Sequence, residues 1–192
     1  MNAPRRPLAE HHRQLGALGD QVQWLWKALP PHDRLLIGLA HASRAVLAAS
    51  LGYFGALALG LDQGYWAAIT AISVSQSSYA DVRNSSRDQF LGALIGGLIG
   101  MAVATLGPGH YLDYVLAVMI GMLLCSVLNL GAAGRLSGTT TTIIMLVPHH
   151  GSFMQFALFR LGEVALGAAA ALLVSVSFDA LARRLFGTPS AT

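Results

Sequence analysis

Residues 64–104 read GYWAAITAISVSQSSYADVRNSSRDQFLGALIGGLIGMAVA. Two apolar runs, Tyr65–Tyr79 and Gln89–Leu106, lie on either side of a polar turn that carries Arg83 and Arg87. Cationic residues next to transmembrane ends stay on the cytoplasmic side. The stretch therefore predicts a helical hairpin that crosses a membrane twice, with its turn in the cytoplasm.

Apolar runs continue on both sides of this hairpin. They predict further spans from about Ala42 to Leu61, at Asp113–Leu130, at Leu136–Val147 and from about Met154 to Phe178. The run Leu136–Val147 is short, so we expect this helix to be tilted, or broken and shielded by protein. The predicted fold class is an all-α polytopic membrane protein with six transmembrane helices in three helical hairpins.

The distribution of cations predicts the orientation of these spans. Of the 12 Lys and Arg residues, ten fall in flanks and turns on one side, and two, Arg44 and Arg160, fall within spans. We therefore expect both termini to be cytoplasmic. The predicted segments are a tail at 1–33, a six-helix transmembrane module at 34–182 and a second tail at 183–192.

The first tail contains apolar residues at three- and four-residue steps between Leu15 and Leu29. Trp24, Trp26 and Lys27 lie near the end of this segment. The pattern is typical of a short amphipathic helix in the cytoplasmic interface. A helix packed on a soluble partner is the alternative.

The composition excludes a soluble domain. Hydrophobic residues make up 54% of the chain and charged residues 11%, against about 25% charged in soluble domains. The single cysteine, Cys125, excludes an internal disulfide and a cysteine-based metal site. The sequence has no phosphate-binding loop, paired-carboxylate motif or nucleophile motif, so we expect no enzymatic activity, cofactor, metal or nucleic-acid partner.

Glu163 lies about nine residues into the sixth predicted span, roughly 14 Å deep at 1.5 Å per residue. A carboxylate at that depth costs several kcal/mol unless it is paired, protonated or hydrated. Arg160 lies three residues earlier on the same helical face and can pair with it. Two interpretations stay open: a buried ion pair that joins helices, or a site that handles substrate or protons.

The second predicted span carries a polar stripe beside an aromatic ring. Its members are Trp66, Thr70, Ser73 and Ser77, with Gln76 next to them. Neutral hydrogen-bonding groups near an aromatic ring suit an amphipathic organic anion. The alternative is that the hydroxyls bond their own helix or a neighbouring one.

Three further residues complete the predicted substrate-binding set. Thr139 in the fifth span has the same two interpretations as the hydroxyls of the second span: it contacts an organic anion, or it bonds its own or a neighbouring helix. Arg44 and Arg135 lie near the cytoplasmic ends of their spans. Either Arg could line a transport pathway or extend to the membrane interface as an anchor.

Small residues at four-residue spacing predict close helix packing. Gly92, Gly96 and Gly100 share one face of the third span, and such faces let backbones approach closely. The same face is also a candidate surface for self-association.

The quoted stretch resembles the fusaric acid resistance and aromatic acid exporter family. In that family a Tyr-Trp-Ala-x-x-Thr helix is followed by a polar turn and by Arg-x-x-Gly-Thr-x-x-Gly. Tyr65, Trp66, Ala67 and Thr70 match the first motif, Gly92 and Gly96 match the second, and Gln89 and Ala93 replace its usual Arg and Thr. Arg160, Glu163 and Gly167 resemble the start of the family's last membrane helix, and Arg44 resembles an Arg in its first. The resemblance covers about residues 34–180.

This resemblance implies a six-helix module of the bacterial inner membrane that exports aromatic carboxylates or other amphipathic organic anions, with proton coupling as an option. Larger relatives carry two such modules, which implies a homodimer or higher homo-oligomer. The plant aluminium-activated malate transporters are similar in architecture, so a passive anion channel is a second hypothesis. A non-transporting membrane scaffold is the third.

Overall fold

The computed structural model describes residues 30–76, 78–106, 110–148 and 152–186. Within these ranges the chain forms six helices and no strand, so the prediction of an all-helical fold is confirmed. The helices are α1 Pro31–Ala58, α2 Tyr65–Val74, α3 Tyr79–Leu106, α4 Tyr111–Val127, α5 Ala133–Leu146 and α6 Phe153–Phe186.

The chain divides into two compact units, residues 1–40 and 41–192. The described part of the first unit, residues 30–40, contains the beginning of α1, where Asp33 lies in the first helical turn. The predicted interfacial helix at 15–29 lies outside the described residues. All contacts reported below lie within residues 41–186.

Three of the helices are long and apolar enough to cross a membrane: Pro31–Ala58, Tyr79–Leu106 and Met154–Arg184. Large apolar side chains also cover the outside of the shorter helix α4, where Met119, Ile120 and Leu123 are exposed. Such a surface suits lipid rather than water. The chain is a multi-pass membrane protein, as the sequence predicts. The number of spans and their orientation stay predictions.

The predicted position of the polar turn in the hairpin is wrong, because the turn lies earlier in the chain. Helix α2 ends at Val74 because Ser75 adopts an extended conformation, and α3 begins at Tyr79 rather than at Gln89. The hydroxyl of Ser78 accepts the backbone N–H of Ala80 at 3.2 Å, which is the role of an N-cap. Arg83 and Arg87 therefore lie in the first turns of α3 and not in a loop.

Helix directions follow from which residues meet. Along α3 and α5, Gly92 lies against Ala133, and Gly100 against Thr141, so the two helices run parallel. Along α6 and α2, Arg160 lies over Trp66 and Gly167 lies against Thr70, so these helices are parallel as well. In contrast, Tyr114 of α4 meets Thr142 of α5 while Cys125 lies beside Gly134, so these two are antiparallel. Alternating directions of this kind are what a chain of six successive passes requires.

The glycine face of α3 packs within the chain. A side chain at Gly96 would collide with the carbonyl oxygen of Ser137 in α5, and the Thr141 hydroxyl donates to the carbonyl of Gly96 at 3.0 Å. The prediction of close packing at this face is confirmed, whereas its use for self-association is wrong because α5 already covers it. This packing also buries α5, whose 14 residues span only about 21 Å.

Candidate functional site

Arg160 is the centre of the candidate site. It lies on the second turn of α6 and is only 4% exposed. Because α2 runs parallel to α6, Trp66 near the start of α2 faces this turn, and its ring lies 4.4 Å from the guanidinium carbon. The indole Nε1–H of Trp66 donates to the side-chain oxygen of Gln63 at 3.0 Å, which fixes the ring. Trp66 thus holds the cation by stacking on its guanidinium face.

Arg160 and Glu163, which the sequence predicts as a buried ion pair, lie near each other but are not hydrogen-bonded. Glu163 is 3% exposed, and its Oε2 lies 3.9 Å from Nη1 of Arg160. That separation exceeds a hydrogen bond. Neither Nε nor Nη1 of Arg160 has a hydrogen-bond partner among the described residues. Buried guanidinium N–H groups without partners are costly, so the site as it stands suits an additional acceptor.

A cavity of about 260 Å³ opens beside these two residues. Gly60 adopts a φ of +77°, a conformation that side chains rarely tolerate. It begins the α1–α2 loop, which lines the cavity together with the first turns of α6. The lining contains loop residues, the first turns of α6 and the ion pair: Gly60, Leu61, Asp62, Gln63, Gln155, Phe156, Phe159, Arg160 and Glu163. Two aromatic rings, two amides, one cation and two acids therefore line one small cavity.

Thr70 lies one turn below Trp66 on α2. It is fully buried, and its hydroxyl oxygen has no hydrogen-bond partner among the described residues. A side chain at Gly167 would meet the Thr70 Cβ at 2.8 Å, so α2 and α6 touch directly at this level. The contact closes the α2–α6 interface below Arg160.

Arg44 and Gln76, also predicted as site residues, belong to a second cluster. Arg44 donates to Asp179 Oδ1 at 2.9 Å and to the backbone carbonyl of Gln76 at 3.3 Å. Its guanidinium carbon lies 5.3 Å from the Phe178 ring centre. This cluster joins the end of α2 to the distal part of α6, so the predicted set is divided between two places.

The remaining predicted residues lie apart from both clusters. Ser73 and Thr139 are exposed, and each hydroxyl bonds a carbonyl of its own helix, Ile69 and Arg135 respectively. Arg135 is exposed as well. Ser77 lies outside the described residues. The geometry thus favours the alternative given in the sequence analysis for these hydroxyls, namely bonding to the helix backbone.

Several lining residues carry little sequence signal of their own. Asp62 and Gln63 lie in a predicted turn, where polar residues are ordinary, and Gln155 lies at the very start of the sixth predicted span. Phe156 and Phe159 are two apolar residues in an apolar run. Asp179 is the member of the second cluster that the predicted set omits, although an acid near the end of an apolar helix is rare and is itself a signal.

Within the described ranges, no three His, Cys, Asp or Glu side chains lie close enough together to bind a metal ion.

Comparison with known proteins supplies the family. Residues 47–174 match the family model described as fusaric acid resistance protein-like. The chain is also 28% identical over 131 residues to the inner membrane protein YccS of Escherichia coli (strain K12). That match covers 68% of this chain and 18% of YccS, so the chain spans less than a fifth of that relative's length. No solved structure gives a significant match. The chain belongs to the fusaric acid resistance protein-like family, and its location is that of a multi-pass inner membrane protein.

Proposed function

We propose that this chain is a membrane transport module that exports aromatic carboxylates or other small amphipathic organic anions. The observation that carries the proposal is the buried Arg160, which lines the cavity and whose Nε and Nη1 have no hydrogen-bond partner among the described residues. A guanidinium offers paired N–H donors whose spacing matches the two oxygens of a carboxylate. A ligand carboxylate on one edge of the guanidinium would give either Nε or Nη1 an acceptor, with Nη2 as the second donor of the fork.

The rest of the cavity supports an aromatic ligand of modest size. Phe156 and Phe159 provide apolar contact, and Gln63 and Gln155 provide neutral hydrogen-bonding groups. The volume of about 260 Å³ lies below the roughly 300–1,000 Å³ of typical ligand pockets. A single ring with one acidic group is therefore a better fit than a larger amphiphile.

The position of Glu163 supports proton coupling as part of this proposal. When a ligand carboxylate pairs with Arg160, the nearby Glu163 carboxylate loses its counter-charge while it remains buried. A buried unpaired carboxylate is unfavourable in a membrane, so a proton taken up by Glu163 stabilises the occupied site. In this proposal anion and proton bind together.

Transport into liposomes tests the proposal. Benzoate crosses lipid as the neutral acid, so the matched probe is labelled benzenesulfonate, which stays anionic at all relevant pH values. We expect uptake above that of protein-free liposomes, stimulated by acid on the side of entry and abolished in Arg160→Gln. Uptake that follows the membrane potential and ignores pH would indicate a passive anion channel, and no uptake at all would indicate a membrane scaffold.

We also propose a homodimer or higher homo-oligomer, because the family resemblance implies two such modules in larger relatives. Lipid would surround the assembly. The mass of the native protein in lipid nanodiscs tests this, and a monomer there would remove the idea.

A further inference from the structure

We propose that the Arg160 cavity selects monoanions and rejects dianions, and that Asp62 is a specificity-determining residue at this site. The inference rests on the proposed function, since it assumes that a carboxylate binds Arg160. Binding of a carboxylate to Arg160 does not by itself imply a preference for monoanions over dianions.

The selectivity for monoanions is inferred from the number of charged side chains in the described lining of the cavity. Among the described residues, the cavity wall contains a single cation, Arg160, and two acids, Glu163 and Asp62. The amides of Gln63 and Gln155 are neutral. One bound carboxylate therefore neutralises the single positive charge of the described lining.

A second carboxylate on the same ligand would have no cation to meet. With one carboxylate on Arg160, the opposite side of a single ring faces the remaining lining, where Asp62 is the charged group of the α1–α2 loop. Two like charges that share a cavity of about 260 Å³ repel each other. A neutral group at that position meets only amides and aromatic rings.

Glu163 does not remove this penalty. A proton on Glu163 compensates for the carboxylate that has taken its partner, and a dianion still brings one uncompensated charge into the cavity. Rejection of the wrong ligand by an unpaired charge is a general route to specificity. Asp62 is exposed at the cavity wall, so it can be replaced without disturbing buried packing.

Terephthalate and its monomethyl ester form a matched pair of probes. They have nearly the same shape, but at neutral pH the ester carries one charge and terephthalate carries two. Equilibrium displacement of labelled benzoate from the full-length protein in lipid nanodiscs measures both. We expect the ester to compete and terephthalate to be at least about tenfold weaker.

The variants Asp62→Asn and Asp81→Asn separate local from global charge effects. Both remove one exposed acid, but Asp81 lies in the first turn of α3 and is absent from the cavity lining. We expect Asp62→Asn to improve terephthalate binding about fivefold, with little change for the ester, and Asp81→Asn to change neither. A cation introduced by Gln155→Lys should improve terephthalate binding further.

The outcomes distinguish the two proposals. If benzoate and the ester bind while terephthalate binds as well as the ester, the selectivity is overturned and the anion site stands. Equal effects of Asp62→Asn and Asp81→Asn on terephthalate would overturn the role of Asp62. If none of the three compounds binds, both the anion site and its selectivity are overturned.

Discussion

Arg44 and Asp179 form an ion pair of 2.9 Å between α1 and α6, nineteen residues along α6 from Arg160. At 1.5 Å per residue this distance is about 28 Å, close to the roughly 30 Å thickness of the hydrocarbon core. The Arg160–Glu163 pair at the other end is separated by 3.9 Å and borders the cavity. One end of α6 is thus held by a short ion pair, and the other end borders a cavity.

The Arg44–Asp179 pair is expected to stabilise the bundle modestly. It is partly exposed, so water weakens it, and loss of either partner should cost about 1 kcal/mol in unfolding free energy. A double-mutant cycle with Arg44→Gln and Asp179→Asn, read by unfolding in mixed micelles, measures the coupling. Additive effects of the two changes would show that the contact contributes nothing.

Gly96 should be the glycine least tolerant of substitution in α3. In Gly96→Ala the new methyl group would overlap the Ser137 carbonyl, and we expect a loss of about 2 kcal/mol or more. The matched control is Gly55→Ala on α1, where a side chain meets nothing within 4 Å and helix propensity should give a slight gain. Equal stability of the two variants in mild detergent would contradict the packing described here.

Glu163→Gln separates the proton-handling site from the structural pair. If Glu163 handles protons, the variant should fold, bind anion and transport it without dependence on the pH gradient. If the pair is only structural, the variant should lose stability, since breaking a buried pair costs about 3–5 kcal/mol in soluble proteins. In that case the double variant Arg160→Met/Glu163→Leu should recover it. Unchanged, gradient-dependent transport by stable Glu163→Gln would exclude the coupling role.

The orientation predicted from the cations can be tested by labelling. In a Cys125→Ala background, a cysteine at Asp62 should react with an impermeant thiol reagent in intact cells. A cysteine at Asn84, which is also exposed, should react only after permeabilisation. Labelling of Asn84 but not Asp62 in intact cells would reverse the topology.

The long apolar helices and the Arg160–Glu163 proximity were accessible from sequence because both depend on local spacing. Three residues along a helix place two side chains on one face wherever the helix lies. The start of α3 was harder to predict, since Ser78 is one of several serines in a polar run and only its bond to Ala80 identifies the cap.

The cavity and the second ion pair could not be predicted for a different reason. Both depend on residues far apart in the chain, such as Gln63 with Gln155 and Arg44 with Asp179. Helix periodicity shows which face of a helix is apolar but not which helix it meets. The parallel packing of α2 on α6 decides that Trp66 supports Arg160, and no local pattern contains this information.

The proposed carboxylate site at Arg160 lies next to Trp66, so Trp66 fluorescence reports directly on its occupancy. The protein has three tryptophans, so Trp24→Phe/Trp26→Phe leaves Trp66 as the only one. Titration of this protein with benzoate in nanodiscs should give a saturable change in emission. In Arg160→Gln the affinity should fall at least about tenfold, since a charged hydrogen bond contributes about 1.5–3 kcal/mol. Arg160→Lys should be intermediate because it keeps the charge without the planar fork, and the exposed Arg83→Gln should behave as the parent. The same saturable response with unchanged affinity in Arg160→Gln would contradict the account.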